Sequence, residues 1–404
     1  MLIYKAFRYR IYPTAEQEAR LHRWGDALRF LWNLCNEQRR MGYARLKGER
    51  IFPSAFDQSK EVTQLRSECS WLADLPRNTC TQLLSDIEQS WDRCFKKIVH
   101  PPRWKRKSEG FVSITEPQSI QFLVSGSTLK FPKLGSIRAV IHRRLSGKPK
   151  TCTLRRDGDQ WFASIKCEIE IEDPLPRTPV VALDRGITNL VADSDGKITL
   201  NPKHLERALQ RLARAQRTVS RRKKGSRNRE KAKLRVMRLH RKVRRQREAV
   251  LHKVSSDYAK NHGVVVIEDL NVSGMMQNPH LSRHIAGAGW SKLAGMLKYK
   301  LAWSGGTLVE VPAHYSSQTC AGCGTVDASS RHGERFCCVS CGYLVHADVN
   351  AAKVLLQRYE TARASRPCLP VDGSLPEGPG RSGKQDYRSQ YSSQLLQKRR
   401  SGDL

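Results

Sequence analysis

Three acidic residues stand where carboxylates could do metal chemistry: Asp184 closes the apolar run VVALD, Glu268 closes VVVIE, and Asp348 lies in HADVNAAKVLL. Two hydrophobic strands ending on carboxylates, with a small-residue helix opening on a third, supply the parts needed to hold a divalent cation against a phosphate. The corresponding reaction is phosphodiester hydrolysis. Along VVVIED, Val264, Val266 and Glu268 share one face while Val265, Ile267 and Asp269 share the other, so only one of the two acids can join Asp184, and Glu268 is the choice. Each acid alone has a plainer explanation. Acids often end strands as turn formers, and Asp348 could simply cap a helix over residues 350–357. The three together, with apolar strands behind two of them, favour a site.

A second chemistry is spelled by Cys320-Ala-Gly-Cys323 and Cys338-Val-Ser-Cys341, each pair followed by glycine, Gly324 and Gly342. This spacing lets two thiolates from one tight turn meet two from another around a tetrahedral Zn²⁺. Four thiolates leave no open position for water, so this zinc is expected to be structural. A redox role suits a lone C-x-x-C better than a doubled set. Cys337 offers another register, but only Cys338 keeps the spacing to Cys341.

The elements that must position these residues follow from periodicity. Residues 2–12 read as a strand, and Thr14 with Gln17 makes a capping-box start for a helix striped by Leu21, Trp24, Leu28, Leu31, Trp32 and Cys35. A second stripe, Leu84, Ile87, Trp91, Phe95 and Ile98, follows Pro76, and the two helices are expected to bundle. From about 111 to 172 short alternating segments broken by Gly and Pro predict an antiparallel β-barrel that takes back the first strand, with the helices inserted between. After DPLPRTP come VVALD, a hairpin over NLVADSDGKITL, a helical hairpin interrupted near residues 225–228, VVVIED, a helix around residues 290–303, and TLVEV. Strand, hairpin, helix, strand, helix, strand, with acids at these places, is the arrangement of an RNase H-like nuclease core. Residues beyond about 360 are polar, rich in Pro, Gly and Ser, and expected to be disordered.

Composition narrows the partner. The 404 residues carry a formal net charge of +34, more than solubility requires, and this favours a polyanion, nucleic acid before anionic membrane. Between Arg207 and Arg247 lie RRKKGSRNREKAKLR and HRKVRRQR, where only Glu230 is set against the cations, on helices that keep an apolar stripe. That segment is expected to present a cationic wall to nucleic acid. Arg103, Lys105, Arg106 and Lys107 around Trp104 suggest a further phosphate-and-stacking contact. No apolar run reaches membrane-spanning length and the N-terminus lacks signal-peptide features, so a cytoplasmic protein is expected. Cys35, Cys69, Cys80, Cys94, Cys152, Cys167 and Cys368 are scattered and expected to be mostly buried small apolar residues.

In these motifs the chain resembles the TnpB family, insertion-sequence-encoded proteins related to the ancestors of type V CRISPR effectors. KAFRYRIYPTAEQEARL resembles the family's N-terminal signature, ALDRGITNLVADSDG its first RuvC motif, VVVIEDLNVSGM its second, YSSQTCAGCG with FCCVSCG its zinc ribbon, and HADVNAA its third. The resemblance, over residues 1–358, implies an RNA-guided DNA endonuclease with a transposon-derived guide RNA, a short motif flanking the double-stranded DNA target, and one RuvC active site. Asp184, Glu268 and Asp348 then hold two catalytic Mg²⁺, with Mn²⁺ as an alternative, one activating water and one stabilising the leaving 3′ oxygen. Cys320, Cys323, Cys338 and Cys341 hold one structural Zn²⁺. The domains it implies are a β-barrel wedge (1–12 and 109–175) carrying a helical recognition insertion (13–108), a RuvC-like nuclease (176–313 and 343–358), a zinc ribbon (314–342) and a tail (359–404). His346 departs from the family, standing where relatives often have a further acid. The competing readings are a nuclease-silent RNA-guided repressor, which Mg²⁺-dependent cutting would exclude, and a transposase, whose common acid order is Asp, Asp, Glu. An unguided nuclease would work without RNA.

Overall fold

Strand β1 (Leu2–Tyr12) turns Ile3, Phe7, Tyr9 and Ile11 inward and leads directly into a capped helix. The Gln17 N–H donates to Thr14 Oγ1 at 3.2 Å and the Thr14 N–H to Gln17 Oε1 at 3.0 Å, which starts α1 (Ala15–Ala44) where the sequence indicated. All six residues of its expected stripe are buried. The computed structural model describes residues 1–44, 52–107, 110, 113–118, 122–172 and 179–364. Helices α2 (Ala55–Glu68), α3 (Ser70–Ala73) and α4 (Arg77–Phe95) follow. On α4, Leu84, Ile87 and Trp91 are buried, but Phe95 and Ile98 are 43% and 62% exposed. The stripe ends early because the helix stops at Phe95 and the backbone turns left-handed at Lys97.

Strands β2 (Ile114–Glu116), β3 (Leu123–Ser125), β4 (Thr128–Phe131), β5 (Gly135–Val140), β6 (Lys148–Asp157) and β7 (Gln160–Glu170) complete a seven-stranded antiparallel sheet in the order β2-β6-β7-β1-β5-β4-β3. Strand β1 is central, pairing with β7 from Leu2↔Glu170 to Ile11↔Trp161 and with β5 at its far end. The helices therefore leave and re-enter the sheet between two of its strands, and they share one apolar core with it. Among the described residues, the end strands β2 and β3 are not bonded to each other.

The second sheet contains β8 (Val180–Asp184), β9 (Asn189–Asp193), β10 (Ile198–Leu200), β11 (Val264–Asp269) and β12 (Thr307–Pro312), in the order β10-β9-β8-β11-β12. The first three form an antiparallel meander, whereas β11 runs parallel to both β8 and β12. Helices α5 (His204–Arg221) and α6 (Arg227–Asn261) form the expected hairpin between β10 and β11, and α7 (Val272–Met275), α8 (Ser282–Ala288) and α9 (Trp290–Trp303) connect β11 to β12. Leu251, Val254 and Tyr258 of α6 and Leu293 and Leu297 of α9 cover one face through Val181, Leu183, Val265 and Ile267. A small ribbon of β13 (Arg331–His332), β14 (Arg335–Cys337) and β15 (Leu344–His346) precedes α10 (Ala347–Ala364). Helix α10 covers the opposite face, where Leu355 meets Ala182, Val266 and Val311. It begins before and ends after the expected 350–357. Residues 359–364, expected to begin a disordered tail, instead continue α10 to Ala364; the rest of the expected tail, with Cys368, lies outside the described residues.

The basic segment divides in a way its composition hides. Helix α6 ends two residues before β11 begins, so it runs back along that strand, and Arg247 and Leu251 lie level with Gly289 at the strand's far end. Val243 and Arg247 border a small cavity with Leu190 and Leu205, and from there α6 and α5 run as a paired arm toward the hairpin turn. Midway, the β6–β7 turn grips this arm. Arg241 donates to the Asp157 carbonyl and to Asp159 Oδ1, both at 2.7 Å, Arg238 binds Asp159 at 2.8 Å, and Arg244 binds the Asp157 carboxylate. Arg241 is only 7% exposed. Arg241 is thus used internally, tying α6 to the β6–β7 turn, while Arg238 and Arg244 pair with that turn from a partly exposed face. Toward the hairpin tip, Arg221, Arg222, Lys223, Lys224, Arg227, Lys231 and Arg235 are exposed. A correction concerns Lys105, whose ammonium sits 3.6 Å over the Trp32 ring and whose pKa burial lowers, so it is turned inward.

Burial would raise the Asp159 pKa, but hydrogen bonds from Arg241 and Arg238 outweigh it and bring the group down to about 2. A depressed carboxylate stabilises the fold above its unfolded value near pH ~4, and this contribution disappears as pH falls toward the folded value. Asp159→Asn should therefore destabilise the protein by about 1–2 kcal/mol at neutral pH and flatten the acid limb of its stability profile. Denaturant unfolding across pH checks this; equal stability for parent and variant at pH ~7 would refute it.

Candidate active site

Parallel register decides how the first two acids meet. Val266 pairs with Ala182 and Ile267 with Leu183, so one further step sets Glu268 beside Asp184 on the face that α10 covers. Asp269 falls on the other face and is exposed, as alternation required. The third acid, Asp348, lies in the first turn of α10, whose apolar side packs on that same face. It does not cap its own helix. The Asp348 N–H instead donates to His346 Nδ1 at 3.2 Å, leaving the carboxylate free to reach β9 and the ribbon.

The structure gathers the trio into one electrostatic environment. The Asp184 carboxyl is pushed well above its ordinary value, first by burial and then by the charges of Glu268 and Asp348, with Arg331 and Arg185 pulling the other way. Glu268 is 4% exposed and is raised by burial against the opposing charge of Arg185. Two arginines and an amide hold the set. The Arg185 N–H donates to Glu268 Oε1 at 3.1 Å, its guanidinium binds the Glu268 carbonyl, and its Nε lies 3.5 Å from Oε2. Asp348 accepts from Arg331 at 2.9 Å on Oδ1 and from Asn189 at 2.9 Å on Oδ2. Arg185, Asn189 and Arg331 were missed in the sequence. Arg185 could have been found as a cation next to a strand-end acid; Arg331 lies in the ribbon with no local signal.

A turn fixes the site's edge. A Cβ at Gly186 would lie 2.6 Å from the Asn189 carbonyl, so only glycine allows β8 to turn into β9 this tightly, and the Gly186 carbonyl accepts from Trp290 Nε1 at 3.1 Å. The donor chemistry suits a hard divalent cation: the Glu268 and Asp348 carboxylates lie within electrostatic reach of Asp184, the buried Glu268 Oε2 has no hydrogen-bond partner, and the charge is only partly offset. The carboxylates are more spread than the thiols. Among the described residues, only Cys320, Cys323, Cys338 and Cys341 have all their ligand atoms within 4.8 Å of one another.

Those four sulfurs form a cluster able to hold one metal ion, in the register that excludes Cys337. Gly324 and Gly342 take positive φ, 79° and 72°, to close the two knuckles. Cys323 is brought down to about 6 by the Thr325 hydroxyl and N–H. Cys341, although the Tyr343 N–H lowers it, is pushed up to about 12 by hydrogen bonding with the other thiols, chiefly Cys323. The ribbon is fastened to α10 beside Asp348: buried Asn350 accepts from the Ala321 N–H at 3.0 Å and donates to the Thr319 carbonyl at 2.7 Å.

Three family profiles match. One described as "Probable transposase" (OrfB_IS605) covers residues 164–279, a "Cas12f1-like, TNB domain" covers 290–355, and a "Helix-turn-helix domain" covers 1–48. Over that last stretch the described residues form β1 and one unbroken helix, not two helices about a turn. The chain is 32% identical over 370 residues to the Escherichia coli K12 protein called "Putative RNA-guided DNA endonuclease InsQ", covering 87% of this chain and 91% of the relative. It is 35% identical over 359 residues to a Streptomyces pristinaespiralis protein called "Putative RNA-guided DNA endonuclease", covering 87% and 88%. Its fold is similar to that of the Cas12f1 chain in a complex with sgRNA and target DNA, with a TM-score of 0.53 at 13% identity over 88% of this chain and 98% of that one. The chain belongs to the TnpB (OrfB_IS605) family, as its motifs suggested. Among the described residues no helix is long and apolar enough to cross a membrane.

Because Asp184 titrates above its unfolded value, the metal-free fold binds the extra proton and loses stability as pH rises through that window. Asp184→Asn should therefore raise the melting temperature in magnesium-free buffer at neutral pH and lessen its fall with pH. Thermal melts at acidic and neutral pH measure this, and a lower neutral melting temperature in the variant would contradict it.

Proposed function

We propose that this chain is an RNA-guided DNA endonuclease that hydrolyses phosphodiester bonds at one metal-dependent, RuvC-like site formed by Asp184, Glu268 and Asp348. The observation that carries the reading is the parallel register that sets Asp184 and Glu268 side by side at the ends of β8 and β11, on the face that α10 covers, with the charges of Glu268 and Asp348 both bearing on Asp184. A meander followed by two parallel strands, in the order β10-β9-β8-β11-β12, supports an RNase H-like core. We read the seven-stranded sheet and its helices as wedge and recognition domains.

Bound Mg²⁺ would supply Lewis acidity toward the phosphate and a nucleophilic water. The chain's own residues do the rest. Asp184 contributes the carboxylate least offset by protein cations, Arg185 holds Glu268, and Asn189 orients Asp348. Arg331 balances Asp348 in the metal-free site. The α5–α6 arm supplies phosphate contacts through the exposed cations at its tip, without base readout. Target choice is assigned to pairing with the guide and to a short flanking motif.

The test is to purify the protein from its source operon, sequence the bound RNA and reprogramme it against plasmids with randomised flanks. Cutting should require Mg²⁺ or Mn²⁺ and fall by roughly a thousandfold or more in Asp184→Ala, Glu268→Ala and Asp348→Ala. Cutting indifferent to all three substitutions would sink the assignment.

The thiol cluster is assigned one structural Zn²⁺, and its ribbon carries Arg331 and the Asn350 contacts to α10. Elemental analysis should find about one zinc per chain, lost in Cys338→Ser, which should also cut more slowly. Full cutting by zinc-free protein would separate the ribbon from the site.

A further inference from the structure

Arg185 follows Asp184 in the β8–β9 turn, and its side chain is only 4% exposed beside a Glu268 side chain at 5%. A buried arginine next to a carboxylate could act only as countercharge, but its contacts here are directional. Its backbone N–H takes Glu268 Oε1, and its guanidinium takes the Glu268 main-chain carbonyl. Two points on one residue are thus fixed from a turn that Gly186 holds tight. The other oxygen, Oε2, is buried without a hydrogen-bond partner, as is the Arg185 Nε facing it at 3.5 Å. Arg185 also borders a cavity of about 270 Å³ lined by Asp269 and Glu310, yet its ion pair goes to Glu268.

We infer that Arg185 is a positioning residue whose guanidinium, anchored on the Glu268 main-chain carbonyl, presets Glu268 as a ligand for a divalent cation, while its backbone N–H occupies Oε1. This rests on the metal-centre reading proposed above. A countercharge and a positioning group differ in sign. Removing a mere countercharge leaves a more negative site that binds cations more tightly, whereas removing a positioning group leaves a ligand that must be ordered at the moment of binding.

The experiment is a Mn²⁺ titration of the full-length protein without target DNA, read by electron paramagnetic resonance. The component missing from Asp184→Asn identifies the site against other bound manganese. Arg185→Gln and Arg185→Lys should each weaken that component by roughly 10–100-fold, and higher Mn²⁺ should restore cutting in Arg185→Lys. Tighter binding in Arg185→Gln, or affinity within about twofold of the parent in Arg185→Lys, would overturn the role of Arg185 while leaving the metal centre standing. Should Arg185→Gln fail to fold, Arg185→Lys decides alone, since it keeps the charge and loses the fork. Parent binding with no component sensitive to Asp184→Asn would overturn the metal centre itself, and this inference with it.

Discussion

Asp184 and Glu268 are held at one strand edge although burial opposes the charge of both and the neighbouring carboxylates oppose that of Asp184, and the rest of this half of the molecule is arranged around that cost. Parallel pairing of β8 with β11 makes the convergence unavoidable, because the register that buries Val181, Leu183, Val265 and Ile267 under α6 and α9 also turns Asp184 and Glu268 to the other face. Packing α10 over Ala182, Val266 and Val311 adds Asp348 to the same edge. The apolar core thus enforces the unfavourable electrostatics. Arg185 and Arg331 offset part of that charge.

Arginine does two different jobs in the basic hairpin. Where α6 crosses the β6–β7 turn, guanidinium groups pair within the protein, with Asp157 and Asp159 receiving Arg238, Arg241 and Arg244. Farther out, toward the hairpin tip, the cations face solvent. The acidic turn therefore sets both the placement of the arm and the boundary between structural and ligand-facing charge. A net charge of +34 records the sum and is blind to this division.

The thiol ribbon and the carboxylate site are separate chemistries joined by one helix. Asn350 ties the first knuckle to α10, and Arg331 reaches back from β13 to Asp348. Whatever orders the four thiols thus also orders a carboxylate and its cation. That coupling follows from the ribbon's place in the chain, between the last strand of the second sheet and Asp348. The atoms that carry it could not be named before the fold was known.

Local rules made much of this legible. The period-2 face of VVVIED separated Glu268 from Asp269, the Thr14–Gln17 box marked a helix start, and C-x-x-C spacing picked Cys338 over Cys337. Each depends on residues only a few positions apart. Charge was the poorest guide: Lys105 and Arg241 look like phosphate contacts in the sequence and are internal in the fold, because acids and aromatic rings distant in sequence reach them first. The ends of helices also shifted, at Phe95 through a left-handed turn and at Ala347 through a cap by His346. Periodicity and spacing, being local properties of the chain, placed the strands and helices and named the candidate ligands. That Arg185, Asn189 and Arg331 attend the acids, and that the β6–β7 turn takes the α6 arginines, came only with the fold, because those contacts join residues far apart in sequence whose meeting depends on the packing of whole sheets.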